Sequence, residues 1–551
     1  MAGNTTREFG YPAAMRPGAA TARLPRCRPM PAGGLAPRWL VALVAVLATG
    51  CAVNPVTGER EIRIVSEAQE VALGQENYLP MRQSQGGDYV MDPAVEDYVQ
   101  RVGQRLAAVS DRPLPYEFHV LNNSVPNAWA LPGGKIAINR GLLTELESEA
   151  ELAAVLGHEI VHAAAGHSAD SMERAMVLQG AVLATAVATS DGDYGRLATA
   201  SAAIASQLIS QRYSRDAELE ADRYGMRYMA RAGYDPRGAV DLQETFVRLN
   251  EQRRSDWLSG LFASHPPSVA RVVANRETAA SLPPGGETGA ERYREVLAVT
   301  RSALPAYEAY DGGRKALAED KRDLALARAE EAIRIEPREA NFYALRGDVH
   351  LLNEDYDRAR REYSRALERN DGFFYYYLKR GLAAERLGDD AEARRDLAAS
   401  LELLPTAPAY LALGHIERRA GNRAQAVEYY RLASSERGQV GRRALAALMR
   451  LDLGRNPGAY LRSRGALGDG GRLLVQIDNP TPVGVRDVVI AVRYLTGSGT
   501  VAERRRQISG VLEADRSVRL DTGLGPFTSP DQYEVRIIDA AVAESPQTTG
   551  P

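Results

Sequence analysis

The chain has 551 residues, more than one hydrophobic core can serve, so about three or four domains are expected. Its 68 basic and 71 acidic residues leave a net charge of -3, which excludes a nucleic-acid partner read by charge and a polybasic membrane patch. The two cysteines, Cys27 and Cys51, both precede the folded region, which excludes a disulfide framework or a cysteine-ligated metal in the mature domains.

The first element is an apolar run, WLVALVAVLA (Trp39–Ala48), flanked by Arg38 and ending at Thr49-Gly50-Cys51. About ten apolar residues are too few to span a bilayer, and the charged flank and small residues describe a signal peptide. LATGC resembles a bacterial lipobox with Cys51 as the lipid attachment site, although Ala48 stands where leucine is commoner. Residues 1–50 are read as the signal peptide, with Met30 as an alternative start, and 51–58 as a lipidated tether. By the lipoprotein resemblance, Ala52 after the cysteine implies the outer membrane rather than the inner.

Residues 59–280 mix helix and strand signals. Ser66 and Gln69 make a capping box before a helix, and Asp92-Pro93 opens another with Val95, Tyr98, Val99, Val102 and Leu106 on one face. Strands are expected at Phe118–Leu121 and Lys135–Ile138, then a helix capped by Ser148 and Glu151. The apolar stretch Met176–Thr189 is too short to span a membrane and reads as a helix over the site or against a membrane surface.

Residues 281–304 begin with SLPPGGET and read as a linker. From 305 to 455 the chain repeats with a period near 34: Gly313, Gly347, Gly381 and Gly414 recur, as do Ala325, Ala359, Ala393 and Ala426, and Ala332, Ala366, Ser400 and Ala433. Period and small residues match about four tetratricopeptide helical hairpins, a solenoid with a groove for peptides or partner proteins. Residues 465–542 read as a small antiparallel, sandwich-like β domain, with strands at Leu473–Ile477, Val488–Tyr494, Ser517–Leu520 and Tyr533–Ile538. The tail, 543–551, has the composition of a disordered segment.

The chemistry lies in HEIVH, His158–His162. Histidines four apart project from one helix face and can share an ion, while Glu159 points about 100° round the helix, beside it. From there it can take a proton from water and pass it to a leaving amine. The bland alternative is two surface histidines on an amphipathic helix. In YSRDAELEADRYG (Tyr213–Gly225), Glu218 and Asp222 stand four apart with Ala217 and Ala221 between them. They read either as a third ligand with an orienting carboxylate or as a solvated acidic face. His265, before Pro266-Pro267, is either a structural turn residue or a group that polarises a substrate carbonyl. His119, His350 and His415 lack partners in sequence and are not expected to be ligands.

HEIVHAAAGH, SRDAELEADRYG, NPVTGERE, NAWALPGGKIAINRGLL (Asn127–Leu143) and SHPPSVARV (Ser264–Val272) together resemble the HtpX/BepA-type zinc metallopeptidases, gluzincins that include the CAAX prenyl proteases. The repeats extend the resemblance to the periplasmic branch; the C-terminal β domain is outside it. The resemblance implies an α+β gluzincin-type metalloprotease domain, to which the residue patterning adds an α-helical tetratricopeptide solenoid and a small C-terminal all-β domain. It implies one Zn2+ per chain on His158, His162 and Glu218, with Glu159 as general base and Asp222 behind the ligands. It places His265 where a histidine can approach the zinc and hold the site closed, and gives His167 an orienting or structural role. It further implies an edge strand at ALPGGKIAIN that pairs with substrate, so Asn127, Trp129, Leu131, Gly133 and Gly134 are candidate substrate contacts. Trp129 reads equally as a core aromatic.

The resulting expectation is a lipid-anchored periplasmic endopeptidase acting on unfolded or misassembled envelope proteins, with the repeats touching an outer-membrane assembly machine. The alternative is a non-catalytic chaperone or scaffold working through the repeats; carbohydrate binding by the β domain has no residue-level support.

Overall fold

The computed structural model describes residues 51–63, 65–167, 213–251 and 265–543. The signal-peptide reading of 1–50, the apolar stretch Met176–Thr189 and the tail from 544 lie outside the described residues. No helix among the described residues is long and apolar enough to cross a membrane.

The chain enters through a hairpin of β1 (Cys51–Val53) and β2 (Arg60–Ile62). Helix α1 (Glu67–Ser84) starts at the expected capping box: Ser66 Oγ accepts from the Gln69 amide and Gln69 Oε1 from the Ser66 amide. Helix α2 (Pro93–Ala107) opens on its proline and buries its whole predicted stripe, Val95 to Leu106.

Three strands follow, β3 (Glu117–Leu121), β4 (Ala128–Leu131) and β5 (Lys135–Asn139), in the order β3-β5-β4. β5 runs parallel to β3 and antiparallel to β4. ALPGGKIAIN is therefore not one edge strand. It folds back on itself: Ala130 and Leu131 end the edge strand β4, and Lys135–Asn139 is the central strand. The turn between them needs glycine, because Gly133 and Gly134 have φ of +75° and +83° and a Cβ on Gly133 would stand 2.6 Å from Val71 Cα.

The sheet is covered on both faces. After α3 (Arg140–Glu145), helix α4 (Glu149–Ala164) packs on Ala128, Ala130, Ile136 and Ile138, and every one of its residues is buried. Trp129, Leu131 and Ala137 alternate to the opposite face, against Tyr78 and Met81 of α1. α4 begins as expected, with Ser148 accepting from the Glu151 amide. Helix α5 (Arg215–Arg231) crosses α4 with backbones nearly touching: a Cβ on Gly157 would lie 3.2 Å from Gly225 O. This glycine pair, with Ala221 fully buried beside it, makes the close approach that had been expected from Ala217 and Ala221.

Helices α6 (Gly238–Glu251) and α7 (Val269–Ser281) complete this unit. Residues 281–304 are not a free linker. Glu287 pairs through its backbone with Gly233 and Asp235, and Thr288 O accepts from Ala150 N. Two short helices, α8 (Ala290–Val296) and α9 (Ala298–Ser302), then sink Tyr293 and Leu297 into the same core. Proline and glycine there mark the absence of regular hydrogen bonding, and the apolar residues beyond them dock.

The solenoid pairs α10 (Leu304–Ala318) with α11 (Arg322–Ile335), α12 (Ala340–Leu352) with α13 (Tyr356–Leu367), α14 (Phe374–Leu387) with α15 (Asp390–Leu403), and α16 (Ala407–Arg419) with α17 (Arg423–Ser434). Helix α18 (Gln439–Asp452) closes the stack. Each recurring glycine faces a side chain of a neighbouring helix, Gly347 on Tyr363 and Gly414 on Tyr430. The recurring alanines and Ser400 are fully buried. The solenoid is pinned to the first unit by Gln83, whose amide donates to Gly372 O and accepts from Phe374 N, both at 2.8 Å.

The β domain comprises β6 (Arg462–Leu467), β7 (Leu473–Asn479), β8 (Val485–Leu495), β9 (Val501–Gln507), β10 (Val511–Leu512), β11 (Arg516–Asp521) and β12 (Tyr533–Val542). Two antiparallel sheets, β11-β7-β6 and β10-β8-β12 with β9 beside β8, enclose one apolar core that also takes Met449 and Leu453 near the end of α18. The expected β architecture is present. It starts at 462 rather than 465, and the charged strand β9 (VAERRRQ) is an addition that has no apolar alternation to reveal it.

Candidate metal centre

Helix α4 presents both motif histidines inward. His158 Nε2 and His162 Nε2 are 3.0 Å apart, with His162 fully buried. Glu218, in the first turn of α5, brings Oε1 to 3.5 Å from His162 Nε2 and Oε2 to 3.6 Å from His158 Nε2. His265, just before α7, brings Nδ1 to 2.8 Å from Glu218 Oε1 and 3.3 Å from His158 Nε2. One donor from each of these four residues can lie within 4.8 Å of all the others. Four ligands at about 2.0–2.1 Å in a tetrahedron stand roughly 3.3–3.4 Å apart, so this nitrogen and oxygen set has the size of a four-coordinate site.

Orienting groups fix the ligand faces. Asp222 Oδ1 lies 2.9 Å from His158 Nδ1, which reserves Nε2 for the centre. His167 Nδ1 lies 2.9 Å from His162 Nδ1, and its Nε2 is 3.4 Å from Glu220. The four-residue spacing of Glu218 and Asp222 thus serves both tasks. Burial works to raise the Asp222 carboxyl, but the Arg271 guanidinium and the His158 ring outweigh it and hold it at about 2. Burial likewise works to raise Glu218, yet His265 and His158 keep its carboxyl well below the ordinary range. Burial pushes Glu159 up, against the opposing pull of His265 and His158. Its Oε2 is buried with no hydrogen-bond partner among the described residues, so one oxygen of this carboxylate is free beside the donor set.

Two contributors escaped the sequence reading. Arg271, on α7, grips Asp222 with Nε and Nη2 at 2.7 Å each and brings Nη1 to 2.8 Å from Glu218 Oε2. Its one sequence signal is its place in SHPPSVARV, six residues after His265. The Tyr213 ring stacks on His162 at 3.9 Å between centroids, and nothing in the sequence marks that contact.

The substrate candidates are elsewhere. Trp129 and Leu131 are buried against α1, with Trp129 edge-on to Tyr78 at 6.0 Å. Gly133 and Gly134 form the β4–β5 turn, and Asn127 O accepts from Asn139 N at the other end of the hairpin. None of the five belongs to the donor set, and Trp129 is a core aromatic because strand alternation turns it from α4. His119 pairs with Glu96 at 2.7 Å, and His350 and His415 lie in the solenoid. The backbone of Cys51 opens β1.

The model of Peptidase family M48 matches residues 93–279, and a tetratricopeptide repeat model matches 407–437. The putative beta-barrel assembly-enhancing protease of Vibrio cholerae serotype O1 is 32% identical over 226 residues, 39% of this chain and 45% of that one. The mitochondrial metalloendopeptidase OMA1 of Schizosaccharomyces pombe is 32% identical over 231 residues, 40% of this chain and 63% of that one. Metalloprotease YcaL of Escherichia coli K12 is 31% identical over 188 residues, 33% of this chain and 71% of that one. The chain spans about half the length of the beta-barrel assembly-enhancing proteases it matches. Among solved structures, the Arabidopsis OM64 TPR domain is 23% identical with a TM-score of 0.21, covering 21% of this chain and 98% of that one. With HEIVH, the Glu218 helix and a buried four-donor site in the matched region, this chain belongs to peptidase family M48.

Proposed function

We propose that this chain is a zinc-dependent metalloendopeptidase of the bacterial cell envelope that acts on unfolded or misassembled outer-membrane and periplasmic proteins. The observation that carries this reading is the converging donor set with the free Oε2 of Glu159 beside it. His158, His162 and Glu218 would hold one ion, and two imidazoles with a carboxylate and no thiolate suit Zn2+. When bound, zinc supplies Lewis acidity to the scissile carbonyl and acidifies the attacking water.

The protein's own groups do the rest. Glu159, whose carboxyl burial pushes up, is placed to act as the base: it would take the water proton and deliver it to the leaving amine. Asp222 and Arg271 keep His158 and Glu218 aimed inward. His265 stands among the ligand atoms of His158 and Glu218, so it would have to withdraw for a substrate carbonyl to enter and would keep the resting chain latent. The names of the relatives support a role in outer-membrane protein assembly. Anchoring through Cys51 at the outer membrane, and docking of the solenoid on the assembly machinery there, belong to the same proposal.

Zinc content and casein cleavage of the purified chain, beside Glu159→Gln and His265→Ala, test it. One zinc per chain with cleavage lost in Glu159→Gln supports the peptidase, and cleavage gained in His265→Ala supports latency. Neither zinc nor cleavage in any form would leave a scaffold acting through its repeats.

A further inference from the structure

Neither the donor set nor the proton route uses NPVTGERE (Asn54–Glu61), which forms the turn and second strand of the N-terminal hairpin. Its Asn54 is 1% exposed, and the whole side-chain amide is engaged. Oδ1 accepts from the Val56 and Thr57 amides at 2.9 and 3.3 Å, which shapes the turn. Nδ2 donates to Glu61 Oε1 across the hairpin at 2.8 Å and to Ala165 O at 3.0 Å. Val56 is buried in the core that also holds Val161 and Ala165, so the hairpin is packed onto α4.

Helix α4 ends at Ala165. The last carbonyls of a helix have no partner within it, and Ala165 is buried, so its oxygen needs a donor from elsewhere. The hairpin supplies two, because Arg63 Nη2 also reaches Ala165 O, at 3.2 Å. A cation is favoured at this end of the helix dipole as well. Gly166 then takes φ of +82°, and a Cβ there would stand 3.1 Å from Arg63 Nη2, so the turn is shaped against the hairpin. That turn delivers His167, whose Nδ1 lies 2.9 Å from His162 Nδ1. When His162 Nδ1–H donates there, its Nε2 keeps the lone pair that a metal needs.

We propose that the N-terminal hairpin is a clasp on the metal helix and that Asn54 is a positioning residue for zinc. Its bond to Ala165 fixes the Gly166 turn, which holds His167 on His162. The clasp rests on the metal-binding reading above.

Asn54→Asp combined with Glu61→Gln isolates the bond to Ala165. The carboxylate still accepts from Val56 and Thr57, and the new glutamine amide can donate to it across the hairpin, but Ala165 O loses its donor from position 54. Zinc affinity of the full chain, read by competition with a zinc indicator, should fall about tenfold relative to Glu61→Gln alone. His167→Ala should weaken zinc to a similar degree, and adding the Asn54 change to it should then have little further effect, because both act through one ring. A hairpin that only adds stability would shift the denaturation midpoint of the metal-free chain and leave the affinity of the folded chain alone. Unchanged zinc affinity, or losses that simply add, overturn the clasp. If the Asn54 variant does not fold, Arg63→Met removes the other donor in its place: a few-fold loss of zinc affinity supports the clasp, and parental affinity overturns it. Absence of zinc from the parent chain would count against the metal-binding reading. The clasp is then judged on the metal-free chain by hydrogen exchange. The Asn54 change should speed amide exchange several-fold in the last turn of α4 and leave its first turn unaltered, and equal protection in both chains overturns it.

Discussion

The metal centre and the solenoid use the same pieces, buried ion pairs and glycine-mediated helix crossings, at different range. In the solenoid, Arg346 pairs with Glu362 and Arg380 with Asp396, each 16 residues apart, and the second pair repeats the first one period on. At the metal centre, Asp222 reaches His158 across 64 residues and His265 does so across 107. A change in the solenoid should therefore stay near its own hairpin. A change at the centre should reach three helices at once.

Glu159→Gln sharpens the contrast most. The amide keeps shape and burial but cannot accept the proton, so casein cleavage should fall by about 10²–10⁴-fold with zinc content unchanged. Zinc lost together with activity would mean that Glu159 holds the site rather than serving it. Arg271→Ala comes next, because it strands two buried carboxylates at once. Removing one partner of a buried pair costs about 3–5 kcal/mol, so chemical denaturation of the metal-free chain should reveal a loss of that order. A loss below about 1 kcal/mol, the range of exposed pairs, would show that water reaches this grip.

The same difference in range decides what the sequence reveals. HEIVH, the Glu218–Asp222 spacing, the capping box at Ser66, the N-cap at Ser148 and the 34-residue repeat all lie within a helix turn or a fixed period; at Ser148 the capping box is half formed, because the Glu151 side chain accepts from the Glu147 amide instead. Arg271 and Tyr213 have no local signature, since what matters about them is which distant side chain they meet. Strand order is non-local too, and ALPGGKIAIN could not reveal that its glycine turn places half of it in the sheet centre. Tyr293 looks like any helix residue until it is buried, with its hydroxyl donating to Leu143 O.

A third test concerns a group on the metal helix but away from the metal. Burial pushes the Glu151 carboxyl up to about 7 from 4.5, against the bonds from Ser148 and the Glu147 amide. The folded state then holds this proton more tightly than the unfolded chain. Stability from this group is full below 4.5 and is lost as pH rises through about 7, by about 3 kcal/mol at most. Glu151→Gln keeps an acceptor for the Glu147 amide and removes the titration, so unfolding curves between pH 4 and 8 should flatten and the variant should exceed the parent at pH 8. An unchanged slope would assign the pH dependence to other groups.

The smallest expected effects come from two glycines that do the same job in the two regions. A Cβ on Gly414 would stand 2.5 Å from the Tyr430 ring, which is fully buried, so Gly414→Ala must displace it. Overpacking of this kind costs about 1–3 kcal/mol, offset in part by the better helix propensity of alanine. A Cβ on Gly225 would stand 3.0 Å from Gly157 C and from His158 N, so there the obstacle is the metal helix itself. Backbone yields by a few tenths of an ångström, and α5 carries Glu218 and Asp222 with it as it moves. Gly225→Ala should therefore cost no more stability than Gly414→Ala, yet weaken zinc binding by about tenfold, the lower range for disturbed ligand support. Gly414→Ala should leave zinc affinity at the parental value. Thermal unfolding and competition with a zinc indicator read the two quantities separately, and equal zinc affinities in both variants would mean that α5 can yield without moving its carboxylates.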